Sequence, residues 1–528
     1  MDYVPLTCVW EITMGCNMRC NHCGSSCAEP LPDELTTEEA FRVCDEMKAL
    51  GMKWITLSGG EPLTRKDWPQ IAGRLNQNGI IPNIITNGWL VDDRMVELAQ
   101  QNGVRTISIS LDGGRRETHD RIRKPGAFDK VVRAFQILRR RGHTSAANTT
   151  VTRENLDELD QIKAVLIENQ VDLWQIQIGL PMGNLAKRPE AVVDPEVIDR
   201  LIDYSYQTQL EGKIKVFPAD CLGYYTAKEG VIRQYSIGTQ APVVWQGCNA
   251  GKRSFGLLHN GDVLGCTSIR DRSFLEGNVR QRSLVEIWND PASFKWSREL
   301  KRTDLKGDCA QCAYGDVCLG GCPNTRLTLN GSIHSENRHC SYHLALSRTR
   351  ARLASYADPK QLLETAWSYV RSEEWQLAAL TLERALELDP EGKEHLELYG
   401  FVSFTLGNYG RAKEANERLV QKNPRNAYAL KGLGLTLHRL QDSEQGLQRL
   451  RQAVDLTTPE NMDAYFDLFV VYRELGRHQE AEEVLDRGER LTPGFRMRVG
   501  APRGPIGINP AYQFSSERKE VGAPYPQP

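Results

Sequence analysis

The chain has 528 residues with 66 Lys and Arg against 68 Asp and Glu, so its formal net charge is −2. That balance offers no electrostatic argument for nucleic-acid binding, and no apolar run approaches the length of a membrane-spanning helix. Fourteen cysteines without a secretory signal pattern indicate a reducing compartment, and we expect two to four domains in a cytoplasmic protein.

A cysteine triplet follows the first predicted strand, which lies near residues 6–13. Cys16, Cys20 and Cys23 have the spacing CxxxCxxC. Three thiolates can hold three irons of a cubane cluster and leave the fourth iron without a protein ligand. A zinc site is the alternative for the triplet taken alone.

Small and polar residues end the next predicted strands. The strand near 53–58 ends in two glycines, which would let a ligand approach the backbone, and in a glutamate whose carboxylate can receive an ammonium group. Polar groups at the ends of successive parallel strands are where an α/β barrel places its ligand site. The residues concerned are Gly59, Gly60, Glu61, Ser110 and Asp112.

Taken in this order, the motifs resemble those of the radical S-adenosylmethionine (SAM) superfamily, and the resemblance covers roughly the first two-thirds of the chain. It implies that Cys16, Cys20 and Cys23 ligate a [4Fe–4S] cluster. It further implies that Gly59, Gly60 and Glu61 hold the methionine amino group of SAM, whereas Ser110 and Asp112 lie at its ribose. Six alternating strand and helix patterns predict a partial (β/α)6 TIM-like barrel over residues 1–215.

A second cysteine array follows, in a stretch with little apolar sequence. Such a segment needs cross-links or bound metal in order to stay folded. Structural zinc sites are the simplest alternative to iron–sulfur clusters here. The spacing resembles the SPASM extension of radical SAM enzymes, which implies a domain over residues 216–345 with two auxiliary iron–sulfur clusters. The seven cysteines are Cys248, Cys266, Cys309, Cys312, Cys318, Cys322 and Cys340.

The same resemblance divides these cysteines into two ligand sets. One cluster would be held by Cys309, Cys312, Cys318 and Cys340, and the other by Cys248, Cys266 and Cys322 with a fourth ligand from elsewhere. Cys221 is the candidate for that place, with Asp220 or an open iron as alternatives. Of the other cysteines, Cys8 and Cys44 are predicted to be core residues and Cys27 a bystander.

Residues 358–495 are helical in pattern and periodic. Pro390 and Pro424 lie 34 residues apart, as do Pro459 and Pro493, and small residues recur in step with them. The pattern resembles the tetratricopeptide repeat (TPR), in which small residues allow paired helices to cross closely. Such repeats form a solenoid whose groove usually binds an extended peptide or a protein; a plain helical bundle is the alternative. Residues 496–528 are rich in proline and are predicted to be a disordered tail.

The resemblance implies an oxidoreductase that uses SAM, its cluster and a low-potential electron donor of the flavodoxin or ferredoxin type. SPASM enzymes act mostly on peptides, and auxiliary clusters favour a net oxidation because they can accept a second electron. The leading hypothesis is a maturase of a ribosomally made peptide that installs an oxidative cross-link, with the TPR groove binding part of the peptide.

Three other readings remain open. Sulfatase-type maturases carry an aspartate where this chain has Thr267, and a tetrapyrrole or quinone cofactor enzyme would leave the repeats unexplained. A TPR adaptor with a vestigial barrel would not need the complete set of motifs. No residue is assigned as catalytic acid or base; plausible site-lining residues are Asp220, Tyr224, Tyr225, Asp316 and Gln175.

Overall fold

The computed structural model describes residues 3–219, 221–237, 243, 245–459 and 461–500. The chain divides into two compact units, Met1–Ser347 and Arg348–Pro528. Within the described residues, no helix is long and apolar enough to cross a membrane.

Seven parallel strands in chain order form the centre of the first unit, each hydrogen-bonded to the next. Consecutive parallel strands place all their carboxyl ends at one edge, where ligand sites form. The strands are β1 (Thr7–Glu11), β2 (Trp54–Ser58), β3 (Ile81–Thr86), β4 (Thr106–Ser110), β5 (Thr144–Val151), β6 (Leu173–Ile178) and β7 (Lys215–Pro218).

Helices connect these strands and cover the sheet. In α1, Thr36 and Glu39 form a capping box, and Val43, Cys44 and Met47 are buried in the core together with Cys8 of β1. The predicted six β/α units and the core positions of Cys8 and Cys44 are therefore confirmed. The helices are α1 (Thr37–Ala49), α2 (Trp68–Gln77), α3 (Asp93–Gln101), α4 (Arg116–Ile122), α5 (Ala127–Arg140), α6 (Leu159–Glu168) and α7 (Val197–Glu211).

The sheet extends on both sides beyond what the sequence pattern predicts. β7 pairs with β6, so a strand lies across the predicted domain boundary at 215/216. On the other side, β8 (Ser254–Leu257) pairs in parallel with β1, and β9 (Asp262–Leu264) and β10 (Leu275–Asn278) continue antiparallel. The cysteine-rich region thus shares one ten-stranded sheet with the barrel.

Most cysteines of the second array lie in short helices or directly beside a helix end. These helices are too short to bury a large core, in agreement with the need for cross-links or metal. In chain order the helices are α8 (Ala227–Ile237), α9 (Leu284–Asn289), α10 (Lys295–Arg298), α11 (Gly307–Gln311), α12 (Gly315–Cys318), α13 (Pro323–Asn330) and α14 (Ser341–Leu353).

The second unit consists of helix pairs, as the repeat pattern predicts. A Cβ on Gly434 would lie 2.8 Å from the carbonyl oxygen of Gly446, and a Cβ on Gly446 would lie 2.7 Å from that of Gly434. Small residues are therefore required because the paired helices cross in backbone contact. The helices are α15 (Pro359–Arg371), α16 (Trp375–Leu388), α17 (Lys393–Thr405), α18 (Tyr409–Lys422), α19 (Ala427–Arg439), α20 (Ser443–Asp455), α21 (Asp463–Glu474), α22 (His478–Leu491) and α23 (Phe495–Gly500).

Helix α23 corrects one boundary. Residues 496–500 are helical, and Phe495 is buried against the preceding repeat, so the predicted tail begins too early. The rest of that prediction, residues 501–528, lies outside the described part of the chain.

Candidate active site

A cavity of about 510 Å³ lies at the carboxyl ends of the parallel strands. That volume is in the usual range for sites of small molecules and cofactors. Five successive strands contribute polar or small residues to its wall, in the order Ser58, Asn87, Ser110, Thr150 and Gln177. The cavity therefore occupies the position that the strand-end motifs predict.

The predicted cluster cysteines, Cys16, Cys20 and Cys23, line this cavity together. Their loop is held at both ends, since the amide of Cys16 donates to the Ala28 carbonyl at 2.7 Å and the backbone amide of Asn184 donates to the Cys23 carbonyl at 2.9 Å. Three convergent thiols on a fixed loop fit a cluster that keeps one iron open.

The pKa values of these thiols depend on burial and on the charge of one arginine. Burial raises the pKa of Cys20 to about 11, while the positive charge of Arg123 acts in the opposite direction. Cys27, predicted to be a bystander, instead lines the cavity, and its hydrogen bond with Cys23 lowers the pKa of the Cys23 thiol. The positive charge of Arg123 thus favours the thiolate form, in which a cysteine acts as a metal ligand.

Gly59 and Gly60 line the cavity, and both positions exclude any side chain. A Cβ on Gly59 would lie 2.3 Å from the Thr13 carbonyl oxygen, and one on Gly60 would lie 2.3 Å from the Gly15 carbonyl oxygen. The Gly60 amide also donates to the Thr13 carbonyl at 2.7 Å. The glycines are therefore needed mainly because the β2 end packs directly on the backbone that leads into the cluster loop.

Glu61 is fully buried and does not line the cavity. Its carboxylate accepts hydrogen bonds from Thr86 Oγ1 at 2.8 Å, the Asn87 amide at 2.7 Å and the Leu63 amide at 3.2 Å. Burial raises the pKa of Glu61 to about 7 despite these donors. Through these hydrogen bonds the Glu61 carboxylate connects the glycine turn to the end of β3. The contact of Glu61 with the ammonium group of SAM stays a prediction.

The two predicted ribose residues occupy different environments. Ser110 lines the cavity, whereas Asp112 is fully buried beneath it. Asp112 contacts Arg123 Nε at 2.6 Å and His22 Nε2 at 3.1 Å. Burial alone would raise the pKa of Asp112, but Arg123 and His22 together hold it well below its usual range.

Arg123 is a residue that sequence reasoning missed. It lines the cavity, pairs with Asp112 and lies close enough to Cys16 and Cys20 for its charge to act on both thiols. It lies between α4 and α5 in a segment with many arginines, and nothing in its local spacing separates it from those neighbours.

The second ligand set also converges. Cys309, Cys312, Cys318 and Cys340 line a separate cavity of about 30 Å³, together with Tyr224 and Tyr225. Four thiols around one small space fit a four-cysteine cluster, and no three of these described thiols lie within the 4.8 Å of one another that a single metal ion would need. The grouping agrees with the ligand set expected for one auxiliary cluster.

The remaining cysteines lie partly at the main cavity. Cys221, Cys266 and Cys322 line it, which places the candidate fourth ligand on the same wall as two of the expected three. Cys248 lies behind this wall, packed against the cluster formed by Tyr224, Trp245 and Cys318. Asp220, the alternative ligand, lies outside the described residues.

The predicted site-lining residues separate into three groups. Gln175 lines the main cavity, and Tyr224 and Tyr225 line the smaller one. Tyr224 is fully buried, and its hydroxyl accepts a hydrogen bond from the Cys322 amide at 3.0 Å. Asp316 is exposed and pairs with Arg302 at 3.5 Å, so its prediction as a lining residue is wrong.

The carboxylate and guanidinium side chains that line the main cavity are Glu11, Arg123 and Arg270 within the described residues. Glu11 pairs with Arg270, and Arg123 pairs with Asp112. The rest of the wall beyond the cysteines includes amides and hydroxyls, such as Asn148, Thr150, Gln175 and Gln177. The wall therefore offers neutral hydrogen-bonding groups, while its charges neutralise each other in pairs.

Family models match three segments of the chain. Residues 10–166 match the radical SAM superfamily, and residues 248–313 match the SPASM iron–sulfur cluster-binding domain. Residues 363–427, 402–445 and 433–494 match the tetratricopeptide repeat.

Relatives match the first two-thirds of the chain. An AdoMet-dependent heme synthase of Methanosarcina barkeri is 32% identical over 65% of this chain and 98% of its own length. The mycofactocin maturase MftC of Mycolicibacterium smegmatis is 28% identical over 60% of this chain and 78% of its own. The crystal structure of Streptococcus suis SuiB bound to S-adenosylmethionine superposes with a TM-score of 0.51 at 19% identity, covering 63% of this chain and 76% of that one, which supports the fold.

Proposed function

The chain belongs to the radical SAM superfamily, with a SPASM extension and TPR repeats, and on that premise we propose that it oxidatively modifies a peptide. The observation that carries this proposal is the wall of the main cavity. Its amide and hydroxyl side chains match the hydrogen-bonding needs of peptide groups, and its charges are already paired.

When bound, SAM and the clusters supply a 5′-deoxyadenosyl radical that abstracts a hydrogen atom, and an acceptor for the second electron of the substrate. Cys16, Cys20 and Cys23 would hold the first cluster, and Gly59, Gly60 and Ser110 would contact SAM. The two auxiliary sites would be the four-cysteine cavity and the wall that contains Cys266 and Cys322. Loss of one hydrogen atom, one further electron and one proton amounts to removal of two hydrogens from the substrate.

The chain's own residues position these groups. Arg123 places a positive charge beside the thiols of the predicted cluster. Its guanidinium is held in place by its ion pair with the buried Asp112. Glu61 holds the glycine turn against β3, which keeps the cavity wall in place. Gln175 makes no side-chain hydrogen bond to another described residue, so its amide can bind a peptide group.

The TPR repeats support a peptide or protein substrate. The match to the heme synthase covers 65% of this chain and nearly all of that relative, so about a third of this chain has no counterpart there. An added repeat array suits recognition of an extended segment remote from the reacting residue.

A tetrapyrrole substrate is the second candidate, and one observation favours it. The relative with 32% identity over 98% of its length is a heme synthase, and a further relative from the same organism, 27% identical, is an Fe-coproporphyrin III synthase. The paired charges of the cavity wall weigh against a substrate with several carboxylates.

The deciding experiment is anaerobic co-expression with each short open reading frame beside the gene, followed by intact-mass analysis of the peptides. Loss of two hydrogens per modified site supports peptide oxidation. An unchanged mass in water with a gain of deuterium in deuterated solvent indicates epimerisation instead. If every peptide is unchanged, turnover of Fe-coproporphyrin III by the purified enzyme would replace the peptide proposal with the tetrapyrrole one.

A further inference from the structure

Arg326 on α13 is a fully buried arginine that lacks a carboxylate partner among the described residues. Its Nη2 donates to the Leu319 carbonyl at 3.0 Å. Its Nε and Nη1 are buried and have no hydrogen-bond partner. Burial lowers the pKa of Arg326, but a guanidinium still stays protonated in proteins.

Other buried arginines of the same unit are neutralised. Arg123 pairs with Asp112 at 2.6 Å, Arg233 with Glu229 at 2.6 Å, and Arg65 with Asp67 at 2.8 Å. An uncompensated charge in a protein interior is strongly destabilising, and removing the partner of a buried pair is correspondingly costly. Among the described residues no carboxylate neutralises Arg326, so its buried charge favours contact with a different anion.

Thiols of both predicted auxiliary sites lie around this guanidinium. The guanidinium Nη2 donates to the carbonyl of Leu319, which lies in the short segment between Cys318 and Cys322. In their ionised forms Cys309, Cys322, Tyr224 and Cys318 would each raise the pKa of Arg326. Cys309 and Cys318 line the four-cysteine cavity, while Cys322 lines the main cavity. Arg326 thus contacts the backbone segment that joins a cysteine of the four-cysteine cavity, Cys318, to a cysteine of the main cavity, Cys322.

The local backbone makes room for the guanidinium. Gly320 has a φ of +76°, and a Cβ there would lie 2.9 Å from Arg326 Cζ. A larger residue at this position would displace the charged group from the wall between the sites.

We propose that Arg326 is the counter-charge of the auxiliary iron–sulfur clusters and raises their reduction potential. A thiolate-ligated cluster is anionic and gains one more negative charge on reduction, so a fixed buried cation stabilises the reduced state. The unpaired Nε and Nη1 groups would donate hydrogen bonds to sulfur atoms of a cluster or of its thiolate ligands. This role favours electron transfer from substrate to cluster, and it rests on the auxiliary clusters of the proposed function.

The test uses the full chain with Cys16, Cys20 and Cys23 changed to Ala, so that only auxiliary iron remains. Arg326→Met removes the charge at similar volume, and Arg326→Lys keeps it. In a redox titration followed by electron paramagnetic resonance, Arg326→Met should lower the reduced-to-oxidised ratio at a given potential about tenfold, equivalent to about 59 mV for one electron. Arg326→Lys should restore most of the ratio.

Three outcomes would overturn the inference in distinguishable ways. If the chain with Arg326 and the Arg326→Met variant bind equal amounts of iron and show the same reduced-to-oxidised ratio, an electrostatic role is excluded. Failure of Arg326→Lys to restore the ratio would indicate a purely structural role. If the chain with the three alanines and an intact Arg326 binds no iron, then it has no auxiliary clusters, and this part of the proposed function is wrong.

Stability of the iron-free chain gives an independent readout. Without clusters the buried charge has no partner, so Arg326→Met should raise the urea midpoint of iron-free protein and lower that of iron-loaded protein. A decrease of the midpoint in both forms would contradict the counter-charge role.

Discussion

The carboxylate of Glu11, at the end of β1, pairs with the guanidinium of Arg270, which lies four residues after Cys266. Ser25, two residues after Cys23, receives a hydrogen bond from the same guanidinium. Glu11 is nearly buried, while Arg270 is about one quarter exposed, with 28% side-chain exposure. This pair joins the predicted SAM-cluster loop to the segment that carries Cys266, a predicted auxiliary-cluster ligand.

Breaking this pair is predicted to destabilise the first unit. Glu11→Gln and Arg270→Met should each lower the free energy of unfolding by about 2 kcal/mol, because each leaves a partly buried charge without its partner. The double variant should cost clearly less than the sum of the two. Urea titrations of the four proteins measure the coupling, and additive effects would show that the pair contributes nothing beyond its separate side chains.

Loss of the cysteine triplet is predicted to abolish SAM cleavage. Cys16, Cys20 and Cys23 changed to Ala should give no detectable 5′-deoxyadenosine from reduced protein, since the thiolates that hold the cluster are absent. Cys44→Ala, in the core of α1, is the matched control and should retain cleavage at a cost of about 1 kcal/mol in stability. A triple variant that kept its biological role in cells would instead favour a TPR adaptor.

Gly60→Ala tests the close packing behind the cluster loop. The new Cβ would meet the Gly15 carbonyl oxygen at 2.3 Å, so we expect a loss of about 3 kcal/mol and reduced SAM cleavage. Gly410→Ala on α18 is the control, because a Cβ there meets nothing within 4 Å. That variant should be neutral or more stable by up to about 1 kcal/mol in thermal or urea unfolding. Equal stability of the two variants would contradict the packing argument.

Glu61 predicts a pH dependence of stability in the cofactor-free chain. Its pKa of about 7 exceeds the ordinary value of 4.5 because of burial, so the folded chain binds this proton more tightly than the unfolded chain. Its contribution to the free energy of unfolding should therefore fall by about 3 kcal/mol as pH rises from about 4.5 to about 7. Subtracting the urea-derived profile of Glu61→Gln isolates this group. A flat difference profile would be incompatible with the raised pKa.

Deletion of residues 358–528 tests the role assigned to the repeats. The remaining chain contains both segments that match the radical SAM and SPASM family models and includes the first compact unit, so we expect it to fold and to cleave SAM without coupling to substrate. Modification of the peptide should be abolished, because the recognition groove is missing. Mass analysis of the peptide together with quantified 5′-deoxyadenosine separates these effects, and full peptide activity in the truncated enzyme would refute the role.

Much of this organisation could be predicted from sequence because it depends on short-range patterns. The spacing of Cys16, Cys20 and Cys23, the strand ends at Gly59 and Ser110, and the 34-residue period each lie within a local segment. These segments repeat the chemistry and periodicity of their families, so the barrel, the SPASM extension and the repeats were all recognisable.

Contacts between distant segments could be decided only by the tertiary structure. Folding buries Glu61 against the end of β3, places Arg123 beside the thiols of the predicted cluster, and leaves Arg326 against the segment between Cys318 and Cys322. It also brings β8 beside β1, so that the cysteine-rich region extends the barrel sheet. Local composition determines which chemistry the chain carries, whereas burial and charge pairing depend on which remote residues the fold makes neighbours.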